Sequence, residues 1–187
     1  MTTMAQSGVA TGRHRLMGAL AMAGGLCYLA MSIAYLVTGV ETGLFFDLLN
    51  VLWALGCLCG LAGIGLLGAL GRGLFGRAAV VVALLAYAIA ALDGVLVLAG
   101  LYAGPDSPLF ALSRLGTLVG MLLVGIAALV AGRWPGWRKF APFSVPLAMP
   151  VALLAGLATG GTVPITLFVG LAWLLIGYAV LSTPEPA

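Results

Sequence analysis

The sequence predicts an all-α fold, a polytopic membrane protein built as a bundle of six transmembrane helices. Three observations predict it. First, 63% of the 187 residues are hydrophobic and only 7% are charged, with a mean hydropathy of +1.22. Soluble domains carry about 25% charged residues, and a small water-soluble fold leaves too large a fraction exposed to hide so much apolar surface. Second, the apolar residues fall into six runs, most of them long enough for the roughly 20 residues that cross a bilayer at about 1.5 Å each. Third, seven of the eight basic residues, all but Arg114, gather in the N-terminal tail or in alternate intervals between those runs.

The elements follow in order. Residues 1–15 (MTTMAQSGVATGRHR) are small and polar and are expected as an N-terminal tail. Arg13-His14-Arg15 precede an apolar run, and Ala21-Met22-Ala23 resembles a signal-peptidase site. The run continues to about Val37, beyond the roughly 7–15 residues of a signal h-region, so a retained first helix is expected over 16–38. Further helices are expected over about 48–70, 78–101, 112–132, 143–159 and 162–182, with 183–187 as a C-terminal tail. The fifth run is short and carries Pro146 and Pro150 after Pro142. Pro142 and Pro146 suit a first turn, whereas Pro150 predicts a kink. Thr159-Gly160-Gly161 joins the last two runs as a tight turn.

The charges predict orientation. Arg13, Arg15, Arg72, Arg77, Arg133, Arg138 and Lys139 lie in the tail or in alternate loops, while Glu41, Asp47 and Asp106 lie in the opposite ones. Lys and Arg are retained on the cytoplasmic side. Both termini are therefore expected to be cytoplasmic, with the 39–47, 102–111 and 159–161 connections outside. Arg133, Trp134, Trp137, Arg138 and Lys139 mix rings with basic groups and are expected as interface anchors at the headgroups. Phe45, Phe46, Tyr102 and Phe110 suit the same role on the other side. Small residues let helices approach in lipid, and Gly56-xxx-Gly60 with Gly63, and Gly116-xxx-Gly120, are expected to pack helices together.

The third run, Ala78–Leu101, carries one acid, Asp93. A charge at mid-bilayer costs about 2.5–3.5 kcal/mol on insertion scales, so Asp93 is expected to face inward and find a partner. Ala86, Ala90, Leu96, Val97 and Gly100 share its face at helical spacing. Arg114, one turn inside the next helix, is the expected partner. Asp47, Asn50 and Thr117 complete a candidate polar intramembrane site, with Ser32, Tyr35, Thr38, Ser113 and Tyr87 nearby. Three readings stay open. Asp93 and Arg114 form a polar site; or they form a structural ion pair that clamps two helices; or Arg114 snorkels to the interface while Asp93 bonds hydroxyls. For the smaller polar residues the plain alternative is local: Asp47 and Asn50 cap a helix start, and hydroxyls bond the preceding turn.

Several chemistries are set aside. His14 is the only histidine and belongs to the tail, which removes histidine-based metal and haem sites from the bundle. Cys27, Cys57 and Cys59 lie in apolar runs, and C-x-C on a helix is a poor clamp. No H-E-x-x-H, G-x-S-x-G or Walker lysine occurs. No catalytic residue, metal ligand or cofactor is expected, and the basic excess is a topology signal rather than a nucleic-acid footprint.

The run RWPGWRKFAP at 133–142 is similar to loops in uncharacterised bacterial six-helix integral membrane proteins. The resemblance implies a multi-pass protein of the bacterial cytoplasmic membrane and brings no substrate or catalytic residue. The lipid bilayer is the expected partner, with a second copy or another membrane protein beside it. The first functional reading is a small transporter or permease-like protein with a polar site in the outer half of the bundle. The alternative is a non-enzymatic membrane component that binds another membrane protein through small-residue helix faces. An intramembrane lipid-modifying enzyme is the third, disfavoured because no nucleophile or metal set is visible.

Overall fold

The computed structural model describes residues 3–39, 43–101, 107–159 and 164–184. These residues form six α-helices: α1 (Thr3–Thr38), α2 (Leu44–Leu66), α3 (Leu74–Leu98), α4 (Pro108–Ala131), α5 (Ser144–Thr159) and α6 (Ile165–Leu181). A 3-10 segment, Gly136–Phe143, leads into α5. Of the described residues 87% are helical, and none is in a strand. Five segments are long and apolar enough to cross a membrane, the fifth being the 3-10 segment and α5 together, and α6 is a shorter apolar helix. The chain is thus a multi-pass helical membrane protein.

Local chemistry sets boundaries that hydropathy alone misplaces. Helices α2, α3 and α4 begin about four residues before the expected runs. The first turn of α2 accommodates Asp47, and that of α3 accommodates Arg77, which faces solvent. Helix α4 starts at Pro108 because Ser107 caps it, its Oγ accepting from the Phe110 amide at 3.0 Å. Gly68, Gly100 and Gly132 take φ of 60°, 67° and 61° just past α2, α3 and α4, the left-handed stop that glycine adopts without strain. At the N-terminus the expected tail is instead helical from Thr3, continuous with the first span. His14, assigned to that tail, is accordingly buried within the bundle. Pro142 falls in the 3-10 segment and Pro150 inside α5. Glu41, Tyr102, Gly104, Pro105, Asp106 and the Gly160-Gly161 turn lie outside the described residues.

Helix α1 packs between α2 and α6; α3 packs on α2 and α4; α5 packs on α6, and the 3-10 segment lodges between α4 and α6. Small residues make these crossings close. A Cβ on Gly56 would lie 2.7 Å from the Cα of Gly24, and one on Gly120 would lie 2.7 Å from the Cα of Ala83. Along α1 and α6, Gly25 meets the carbonyl of Gly170 and Gly18 meets that of Gly177, at 2.8 and 2.9 Å from a built Cβ. The expected glycine faces are therefore consumed inside this chain: Gly60 abuts Trp173, Gly63 abuts Met17 and Val180, and Gly116 abuts Ala86. Large aliphatics such as Leu85, Leu115, Leu153 and Leu154 point outward. Small interior and leucine-rich exterior is the arrangement a lipid solvent favours.

Candidate functional site

The largest fully buried side chains include Trp53, Trp173, Tyr28 and Tyr87, one from each of α2, α6, α1 and α3. They touch in sequence. Tyr28 stacks on Trp53 at 3.9 Å, Trp53 meets Tyr87 edge-on at 5.6 Å, and Tyr87 meets Trp173 edge-on at 5.3 Å. Trp173 Nε1 donates to the Tyr87 hydroxyl at 3.1 Å, which satisfies one polar tip inside the bundle.

Arg114 of α4 enters this layer. Its Nη1 donates to the Tyr28 hydroxyl at 3.0 Å, and that hydroxyl donates to Asn50 Oδ1 at 3.1 Å. Its guanidinium carbon lies 5.5 Å from the centre of the Trp53 ring and 4.7 Å from that of Phe110. Helical spacing makes this possible: Asn50 and Trp53 are one turn apart on α2, as are Phe110 and Arg114 on α4. Cation–π contacts of this kind contribute about 0.5–2 kcal/mol each, most where water is excluded. Trp53 Nε1, by contrast, is buried with no hydrogen-bond partner among the described residues.

Asp93 is 5% exposed and inward-facing, on a stripe with Ala86, Ala90 and Gly94. Leu96 and Val97 are half-buried beyond it, and Gly100 is exposed. The expected partner differs. No ion pair joins Asp93 to Arg114 among the described residues; Ser107 Oγ donates to Asp93 Oδ1 at 3.2 Å instead. Because Ser107 also caps α4, the carboxylate sits beside the positive end of that helix. Arg114 prefers the phenol of α1, a helix that packs beside α2 rather than α4 in the chain order. Asp93 and Arg114 thus serve two separate links, one between α3 and the start of α4, the other among α1, α2 and α4.

Of the remaining sequence candidates, Asn50 joins the Tyr28 link rather than capping α2. Asp47 lies in the first turn of α2, whose N-cap position is Gly43. Thr117 Oγ1 bonds the Arg114 carbonyl at 2.9 Å and Ser113 Oγ that of Phe110 at 2.8 Å, the local back-bonding of helical hydroxyls. Ser32 reaches Thr166 of α6 at 2.8 Å. Tyr28 and Trp53, central to the layer, were not expected from sequence; an aromatic in an apolar run reads as ordinary span.

The expected interface anchors divide. Trp134 is 2% exposed and faces inward, donating from Nε1 to Thr183 Oγ1 at 2.7 Å. It is a latch onto the segment after α6 and not a headgroup contact. Arg138 turns to the same place, bonding the Ser182 carbonyl at 3.0 Å, and so satisfies a helix C-terminus. Trp137 is exposed and stacks with Tyr178 at 6.1 Å; Lys139 lies over Phe140 at 5.3 Å, and Arg133 is exposed. Two clefts open at this basic end, of about 200 Å³ beside Arg133 and about 470 Å³ between α2 and α3. Neither is lined by Arg114 or Asp93. Among the described residues no three His, Cys, Asp or Glu side chains converge.

A scan against protein-family models and searches of curated proteins and of solved structures return no match to this chain.

Proposed function

We propose that the chain is a small permease-like membrane protein that receives an anionic group of its substrate at Arg114. The observation that carries the reading is a guanidinium drawn inside a helical bundle whose one hydrogen-bond partner among the described residues is a neutral phenol, with no carboxylate of those residues in ion-pair reach. A cation in the bilayer costs about 2.5–3.5 kcal/mol at the centre. Aromatic faces offset part of that cost, and an anion offsets more. The unmet Trp53 Nε1 belongs to the ring beneath the guanidinium and adds a second donor in the same layer. In this reading the layer lies in the outer half of the bundle of a bacterial cytoplasmic membrane, both termini are cytoplasmic, and the packed conformation is an occluded one. Orientation rests on the basic residues, and a reporter fused between α3 and α4 that reads as cytoplasmic overturns it.

The rival reading, a membrane component that docks another membrane protein through glycine faces, has less support. Gly56, Gly60, Gly63, Gly116 and Gly120 already abut helices of this chain.

The test is a thermal-shift series on the detergent-solubilised protein with acetate, butyrate, phosphate and sulfate. A ligand at a hundred times its Kd stabilises by about 2.7 kcal/mol. At least one anion is expected to raise the melting temperature of the wild type and not of Arg114→Gln. No shift with any anion, or the same shift in the variant, sinks the proposal.

A further inference from the structure

The corner where α2 turns into α3 combines features that a phospholipid needs. The cleft there holds about 470 Å³, within the roughly 300–1,000 Å³ of small-ligand sites. Its walls are apolar, with Ile64 and Gly65 on α2 facing Val80 and Val81 on α3. Its mouth carries Arg72 and Arg77, both exposed. Neither side chain has a hydrogen bond or ion pair among the described residues. Helix α3 begins at this mouth, and Gly73 at its N-cap supplies no side-chain acceptor, so the first-turn amides are left for another anion. Gly65 leaves the groove open, since a Cβ there would meet nothing within 4 Å.

The geometry points to one occupant, an anionic phospholipid of the surrounding leaflet. Its phosphate sits between Arg72 and Arg77 at the start of α3, and one acyl chain runs down the Ile64–Val81 groove. The charge complementarity is specific in direction: cations at the headgroup level, hydrocarbon below. The site is independent of Arg114, which belongs to the aromatic layer and does not line this cleft.

Native mass spectrometry of the intact detergent-solubilised chain tests this, with phosphatidylglycerol and phosphatidylcholine of identical acyl chains as probes. Phosphatidylglycerol is expected to be retained preferentially, because the choline cation meets two arginines. Arg72→Gln with Arg77→Gln is expected to weaken phosphatidylglycerol binding roughly twenty-five-fold, at about five-fold per arginine. Gly65→Phe fills the groove without altering any charge and is expected to weaken binding as well. Arg13→Gln with Arg15→Gln, at the same end of the bundle, is expected to leave it unchanged. Unfolding of each variant in lipid-free detergent separates loss of the site from loss of the fold. Equal retention of both lipids, wild-type affinity in the double arginine variant or in Gly65→Phe, or an equal loss in the Arg13/Arg15 control overturns the proposal. Displacement of the lipid by inorganic phosphate overturns it too, and marks the arginines as a soluble-anion site.

Discussion

Replacing Tyr28 with Phe removes one oxygen from the middle of the bundle and leaves its ring in place. That oxygen accepts from Arg114 at 3.0 Å and donates to Asn50 at 3.1 Å, while the ring stacks on Trp53 at 3.9 Å. The variant therefore loses two hydrogen bonds and no stacking. An interhelical bond between neutral groups contributes about 0.6 kcal/mol in membranes. A bond to a charged group contributes about 1.5–3 kcal/mol. The lower part of that range applies, because the unfolded state in detergent also offers acceptors. Tyr28→Phe is expected to destabilise by about 2 kcal/mol. The assay is unfolding in mixed micelles with increasing denaturing detergent, followed by tryptophan fluorescence. Arg114→Met and the double variant complete the cycle. Because both single changes break the same bond, the double variant is expected to lose about 1.5 kcal/mol less than the sum. Tyr28→Phe within about 0.5 kcal/mol of wild type, or strict additivity, refutes the link between α1 and α4.

Three further outcomes are expected. Ser107→Ala removes both the cap on α4 and the donor to Asp93, so it is expected to cost about 1–2 kcal/mol. Asp93→Asn keeps an acceptor for that donor and is expected to cost under about 1 kcal/mol, which the same unfolding titration compares directly. Gly56→Leu forces a side chain against the backbone of Gly24 and is expected to lower stability by about 1–3 kcal/mol, whereas Gly65→Ala, facing open space, is expected to stay within about 0.5 kcal/mol by thermal unfolding. Trp134→Phe loses the bond to Thr183 Oγ1 and is expected to cost about 1 kcal/mol; Thr183→Val is expected to cost a similar amount, and the two effects are expected not to add.

Six helices and the inward face of Asp93 are legible in the sequence, because both depend on short-range patterns: run length and the helical repeat. What depends on lateral neighbours is not legible there. Nothing in the spacing of α3 and α4 tells Arg114 to prefer a phenol from α1 over the acid that is nearer in sequence. Run length also misplaced the helix starts, since a first turn tolerates Asp47 or Arg77 that a hydropathy window rejects. Trp134 looked like a headgroup anchor because it stands among arginines. Its burial is decided by Thr183, which lies at the far end of α6 in sequence but next to it in space. His14 failed for a related reason. The polar residues before it suggest a tail, whereas Ala, Met and Gln there continue the helix readily.

The contact between α1 and α6 bears on how the protein is made. Gly18 and Gly25 lie against Gly177 and Gly170, backbone upon backbone, and these two helices share the most extensive interface in the fold. About 145 residues separate Gly25 from Gly170. At synthesis rates of about 5–20 residues per second, the first span waits roughly 7–30 s for its counterpart. During that interval its glycine groove faces lipid or whatever insertion factor attends it, and α2 alone covers the other side. A ribosome stalled before Ile165 would leave that groove without the helix that covers it in the finished fold.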